Sequence, residues 1–314
     1  MGTVGTPYDD VFRTLLNDCS SLIIPVINEV FGENYSGEEE VLFSSNEHFL
    51  NQQDGREEKR ITDTSFWILG EKRKKYHWEC QSVADSSMLV RFFEYDTQIA
   101  LDEGELHGNV LTVSFPHSAV LFLRCSASTP DGMQVRMVTP GGSVTYDIHV
   151  MKSQQYTLGE IFGKGLLFLI PFYIFGHEGR FREYERDAGK LGQLRSEYIQ
   201  IKCWLEDLLA KGKIDEYTKC TIIDMSNRVL DSIAQKCEPV REGVRSVLGG
   251  KILEYEAKTI RNEGLREGRD EGLREGMRML VDSLRSLSIE DEAILSQLIQ
   301  RYQLTREEAD ALLK

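Results

Sequence analysis

Apolar positions along the chain follow two periods. Residues 8–31 place Phe12, Leu15, Leu16, Ile23, Ile27, Val30 and Phe31 mostly at helical spacing, with Pro25 marking a kink or a new first turn. Val41-Leu42-Phe43, within residues 39–50, has strand character. Residues 60–68 and 76–83 are rich in Thr, Ile, Val, Tyr and Trp and flank the Gly-led, charged stretch 70–75, so they predict a β-hairpin. Helical spacing returns over 86–101 with Met88, Val90, Phe92, Tyr95 and Ile99. Strand-like runs follow at 109–115, 119–123, 134–138 and 144–151, and Pro130-Asp131-Gly132 and Pro140-Gly141-Gly142 supply turns around the third. The order helix, strands, helix, strands predicts an α/β sheet with helices packed on it.

Beyond Gly176 the strand period stops. Leu191, Leu194, Tyr198, Ile201, Leu205 and Leu208 form one helical stripe, and Ile222, Met225, Val229, Leu230 and Ile233 form another. The expected organisation is a sheet domain over 1–178, a helical region over 179–260, and a third segment over 261–314. That segment opens on a ladder in which Glu-Gly recurs, with glycines at 264, 268, 272 and 276. A glycine every fourth residue leaves a slowly drifting seam on a helix and costs about 1 kcal/mol per residue relative to Ala. Pairs such as Glu263 with Arg266 and Glu271 with Arg274 offset part of that cost. Two readings stay open: close helix–helix approach, hence a homo-oligomer, or a solvated, semi-flexible linker. Helices over 279–300 and 305–313 complete the chain, with Thr305 and Glu308 spaced as a capping box.

Of 314 residues, 28% are charged and 41% hydrophobic, the composition of a folded soluble protein rather than a disordered one. The apolar run 165–175 is broken by Pro171 and is too short to span a membrane, and no basic stretch with an apolar core opens the chain. Six scattered cysteines, none in a Cys-x-x-Cys pair, fit buried reduced thiols in a cytoplasmic protein and argue against a zinc site. Net charge is −14. Residues 1–178 hold 25 acidic and 13 basic residues (−12), leaving 26 and 24 (−2) in 179–314. Positive charge in the acidic half gathers at the hairpin: Arg56, Lys59 and Arg60, then Lys72, Arg73, Lys74 and Lys75. These meet phosphates beside a site, or they are a solvated turn that deters edge pairing.

The hairpin carries the candidate chemistry. Folding it about Glu71 sets Asp63 opposite Glu79, and period two puts Glu79 and Gln81 on one face. Two carboxylates side by side repel unless a cation lies between them; Mg²⁺, a hard ion with oxygen ligands, is the natural candidate, with Mn²⁺ an alternative. Other motifs fail. Gly249-Gly250-Lys251-Ile252 lacks the earlier glycine and the Ser/Thr of a P-loop. No Gly-x-Ser-x-Gly elbow occurs. His77 shares the face of Glu79 and either lines the pocket or, the simpler reading, is a polar strand residue.

An Asp on one strand followed by Glu-x-Gln on the next resembles the core of the PD-(D/E)XK nucleases, with Gln81 where the usual pattern has Lys. That departure resembles the Rpn family of recombination-promoting nucleases and transposase-like proteins. Three further stretches are similar to that family: Tyr8-Asp9-Asp10-Val11-Phe12-Arg13, Arg91 with Tyr95, and the leucine-rich run ending Leu169-Ile170-Pro171-Phe172. The resemblance covers roughly residues 7–175, plus the ladder. It implies a restriction-endonuclease-like mixed sheet core flanked by helices, followed by an all-helical C-terminal region. It also implies Mg²⁺-dependent hydrolysis of DNA. In that reading Asp63, Glu79 and the Cys80 backbone carbonyl hold the metal, and Gln81 orients the attacking water. Asp9 reaches the metal or its water, or it serves the helix start through the dipole. An amide carries no charge, and Arg91 is the candidate cation in its helix to stand in for the missing Lys.

Overall fold

The computed structural model describes residues 7–43, 65–82 and 87–249, the backbone of 47–51 and 57–61, and scattered positions between 277 and 306. It divides into two compact units, Met1–Gly250 and Lys251–Lys314.

In the first unit, α1 (Pro7–Asp18) buries Tyr8, Val11, Phe12, Leu15 and Leu16, the stripe its spacing predicts. A 3₁₀ turn, Ser20–Leu22, separates it from α2 (Ile23–Phe31). Pro25 lies in the first turn of α2, where its missing N–H breaks no intrahelical bond. Gly32, at φ 66°, closes α2 in the left-handed conformation. The strands β1 (Glu40–Phe43), β2 (Glu47–Asn51), β3 (Glu57–Ile61), β4 (Ser65–Leu69) and β5 (Arg73–Gln81) follow. β2 pairs with β3 as a separate ribbon, while β1, β4 and β5 run antiparallel in the main sheet. The β4–β5 register, Ser65↔His77 through Leu69↔Arg73, is centred on Glu71.

α3 (Met88–Asp102) then crosses over. The strand expected over 109–115 is the shorter β7 (Val110–Thr112), which pairs with a preceding strand, β6 (Glu105–His107), as a small exposed hairpin. Gly108, at φ 62°, opens the two-residue loop closed by the pair His107↔Val110. β8 (His117–Phe122) returns parallel to β5 and is buried from Ser118 onward, as a strand covered on both faces must be. β9 (Gly132–Thr139) and β10 (Gly142–Lys152) form a hairpin whose second strand pairs parallel with β8. The main sheet thus has the order β1-β4-β5-β8-β10-β9.

The remaining helices are α4 (Leu158–Gly163), a 3₁₀ segment (Leu167–Arg180), α5 (Phe181–Arg186), α6 (Ala188–Ala210), α7 (Glu216–Ile233) and α8 (Glu238–Leu248). Thr157 and Glu160 form a capping box on α4, and the carboxylates of Asp187 and Asp215 cap α6 and α7. One apolar cluster joins α1 and α2, the Phe66/Tyr76/Trp78/Cys80 face of the sheet, the 3₁₀ segment and the stripes of α6 and α7. It includes residues on both sides of position 178. A smaller cluster on the opposite sheet face holds Met88 and Phe92 of α3 with Val120, Phe122 and Ile148.

Polar contacts fasten α7 to α1 and the 3₁₀ segment to α6. Tyr217 Oη donates to Asp18 at 3.0 Å, and Tyr173 Oη to Glu197 at 2.8 Å; His177 Nε2 lies 3.0 Å from the same Glu197. In the second unit Met277, Val281, Ile294 and Leu295 are buried helical residues, and Arg306 pairs with Glu292 at 2.7 Å. The glycines at 264, 268, 272 and 276, and Thr305, lie outside the described residues. Among those described, no helix is long and apolar enough to cross a membrane.

Burial acts to raise the Glu197 carboxyl, but the hydrogen bonds from His177 and Tyr173 win and hold it below the usual carboxylate range. A depressed folded pKa contributes stability at pH values above the unfolded value, and that stability disappears as pH falls through the folded one. Glu197→Gln is therefore expected to cost about 1 kcal/mol at pH 7. Urea unfolding across pH 3 to 7 checks this: the gap between variant and wild type should close toward the acid end.

Candidate functional site

Strand alternation divides β5 between the two layers. Tyr76, Trp78 and Cys80 enter the large core with α1 and α2. His77, Glu79 and Gln81 take the opposite face, toward α3, and pair across to Ser118, Val120 and Phe122 of β8. Glu79 and Gln81 therefore share a face, as the period required. Asp63, the other half of the expected carboxylate pair, lies outside the described residues.

The α3 face of β5 holds a polar network that sequence reasoning missed. His77 and Asp96 are both fully buried. The Asp96 carboxylate lies 2.7 Å from His77 Nδ1 and accepts from Ser118 Oγ at 2.8 Å and from Tyr146 Oη at 3.1 Å. Those partners come from β5, β8 and β10, so one carboxylate on α3 is tied to three adjacent strands. The far nitrogen of the same imidazole, Nε2, lies 3.3 Å from Glu79 Oε1. Phe92 and Tyr95 of α3 pack beside the ring at centroid distances of 5.1 and 6.0 Å.

Burial works against a charge on His77, but the hydrogen bonds to Asp96 and then Glu79 override it and push its pKa up to about 9. At neutral pH both ring nitrogens then carry protons, and both donate. Burial likewise acts to raise Glu79, yet the hydrogen bond from His77 and the charges of His77, Arg91 and Arg13 hold it below the ordinary carboxylate range. Glu79 is an anion, 21% exposed, with cations supplied from β5, α3 and α1. The Cys80 thiol is pushed well above its normal range by burial, then by the charges of Asp9 and Glu79. Its sulfur faces the core, which leaves the backbone carbonyl as the hard donor at that position. Asp9 lies in the first turn of α1, half-buried, where its charge is felt at Cys80. Gln81 ends β5, and its carbonyl accepts from Leu123 N at 2.9 Å.

The described donors are oxygens, the type Mg²⁺ prefers. Glu79 Oε1 is taken by His77, while Oε2 accepts no hydrogen bond among the described residues. No group of three or more His, Cys, Asp or Glu side chains with metal-holding geometry occurs among the described residues.

The basic turn lies away from this site. At about 3.3 Å per residue, Lys72–Lys75 are roughly 13–23 Å from Glu79 along the strand. Arg73 stacks on Trp67 at 3.9 Å, Lys74 pairs with Glu33 at 2.5 Å, and Lys75 pairs with Glu103 at 2.6 Å. Two lysines of this turn thus neutralise the protein's own carboxylates. Arg56 lies outside the described residues, and Lys59 and Arg60 are described only as backbone in β3.

One signal for the missed network was present. Met88, Phe92, Asp96 and Ile99 fall on one stripe of α3, so a carboxylate interrupts an apolar face. Such a group is tolerated only with buried partners. Asp96→Ala removes the acceptor that the His77, Ser118 and Tyr146 donors share, and it is expected to cost about 3–5 kcal/mol. Chemical denaturation of the full chain measures this, and a loss under 1 kcal/mol would contradict the network.

Comparison with protein-family models, with curated proteins and with solved structures finds no match.

Proposed function

We propose that this chain is a Mg²⁺-dependent DNA endonuclease of the Rpn type, hydrolysing phosphodiester bonds in DNA recombination or mobile-element activity. The observation that carries the reading is the placement of Glu79. It is an ionised, partly exposed carboxylate near the end of β5, between antiparallel β4 and parallel β8. The β4–β5 register over Ser65–Leu69 and Arg73–His77 is centred on Glu71, the turn centre the sequence predicts. The succession α1, antiparallel strands, α3, parallel β8 agrees with the helix, strands, helix, strand order of the restriction-endonuclease-like core.

In this reading Asp63, Glu79 and the Cys80 carbonyl hold Mg²⁺, or Mn²⁺ in its place. The bound ion supplies charge neutralisation at the scissile phosphate and a water of lowered pKa. The chain's own groups do the rest. Gln81 hydrogen-bonds the attacking water and sets its direction, but as a neutral amide it stabilises no charge. Arg91 and Arg13 lie within electrostatic reach of Glu79 and supply the positive field that a Lys at position 81 would give. Asp9 takes a place beside the metal's water shell. Plasmid nicking with Mg²⁺ or Mn²⁺ against EDTA tests this directly. Asp63→Ala and Glu79→Ala are each expected to lower the rate by about a hundredfold or more. No cleavage by the wild type with either ion, on duplex or single-stranded substrate, defeats the reading.

That negative result is the signature of a second reading, a catalytically inactive nuclease-fold protein-interaction module. Two observations favour it. Glu79 is already compensated by His77, and Lys74 and Lys75 are committed to internal carboxylates.

Cutting both strands of a duplex suits a dimer, and the Glu-Gly ladder is the proposed contact. Light scattering on the full chain and on a 1–260 truncation checks this. The truncation is expected to fall to monomer, and an unchanged mass removes the ladder from the proposal.

A further inference from the structure

We infer that His77, anchored by Asp96, is a positioning residue that fixes the orientation of the Glu79 carboxylate toward a divalent metal. This deepens the proposed function and rests on Glu79 being a metal ligand. The support is geometric. The imidazole is fully buried between β5 and α3, with Nδ1 held at 2.7 Å by Asp96 and Nε2 aimed at Glu79 Oε1, 3.3 Å away. Asp96 is itself immobilised by Ser118 and Tyr146, from two different strands. The chain of contacts from β10 and β8 through α3 to β5 therefore ends on one oxygen of one carboxylate. A side chain with three rotatable bonds is thereby restricted, with Oε1 occupied and Oε2 without a hydrogen bond among the described residues.

Packing alone does not call for this arrangement. Burying a carboxylate and an imidazole costs several kcal/mol that an apolar pair of similar volume avoids. The neighbours at this face, Phe92, Val120 and Phe122, show that it accepts apolar side chains. Outer-sphere partners of this type orient ligating groups, and their loss typically weakens metal affinity by about 10–100-fold.

The test uses the full chain and Mn²⁺ alone as probe, with affinity read by electron paramagnetic resonance. Nicking rate at saturating Mn²⁺ and thermal unfolding are measured beside it. His77→Gln is expected to fold and to bind Mn²⁺ about 10–100-fold more weakly. Ser118→Ala and Tyr146→Phe, which loosen Asp96 without touching Glu79, are expected to weaken binding by smaller steps of a fewfold each. They carry the test if His77→Gln does not fold. Raising Mn²⁺ should recover only part of the lost rate, because a misaligned ligand lowers kcat as well as affinity. Folded variants that bind Mn²⁺ within twofold of wild type overturn the positioning role and leave the nuclease reading standing. A wild type that binds Mn²⁺ no better than Glu79→Ala overturns both.

Discussion

A buried carboxylate must be matched by donors, and much of the arrangement on the α3 face of the sheet follows from that demand at Asp96. Left unpaired in the interior, an ionised side chain costs several kcal/mol. The described structure meets that cost with His77, Ser118 and Tyr146, each on a different neighbouring strand. Satisfying Asp96 thereby fixes how α3 lies across β5, β8 and β10. It also decides which residues of β5 look toward α3, because strand alternation then admits His77, Glu79 and Gln81 together and sends Trp78 and Cys80 into the larger core.

The two faces of the sheet are built on different physics. Beneath Trp78 and Cys80 the packing is almost wholly apolar and continues through α1, the 3₁₀ segment, α6 and α7. The strands stop at Lys152, and the apolar cluster continues from the sheet into the 3₁₀ segment and the later helices unbroken. On the α3 face the apolar cluster is small, and the polar network supplies the registration that side-chain interdigitation supplies elsewhere. A face fixed by directional hydrogen bonds holds a charged group such as Glu79 in a defined place. A purely apolar face would exclude it.

The parts legible in the sequence were those governed by local periodicity. The stripe of α1, the hairpin centred on Glu71, the shared face of Glu79 and Gln81 and the stripes of α6 and α7 all follow from spacing. Less legible were features set by one residue's backbone freedom or by contacts between distant segments. Gly108 supplies the turn that pairs β7 with a strand, β6, that no apolar period announced. The commitment of Lys74 and Lys75 to Glu33 and Glu103 joins residues 41 and 28 positions apart, and no window along the chain contains both partners. His77 looked like an ordinary polar strand residue because its role depends on Asp96, nineteen positions away on another element.

The same distinction bears on charge. A chain of net charge −14 is not an evident partner for a polyanion. Net charge is, however, a sum over the whole surface, while the potential felt at a site is local. At physiological ionic strength the Debye length is about 8 Å, so exposed carboxylates elsewhere on the molecule are largely screened. Buried and partly buried groups are screened much less. Around Glu79 the cations His77, Arg91 and Arg13, drawn from three elements, are met by Glu79 itself, Asp96 and Asp9. The charge at this point of the structure is therefore close to balanced, set by local pairing rather than by the net charge of the chain.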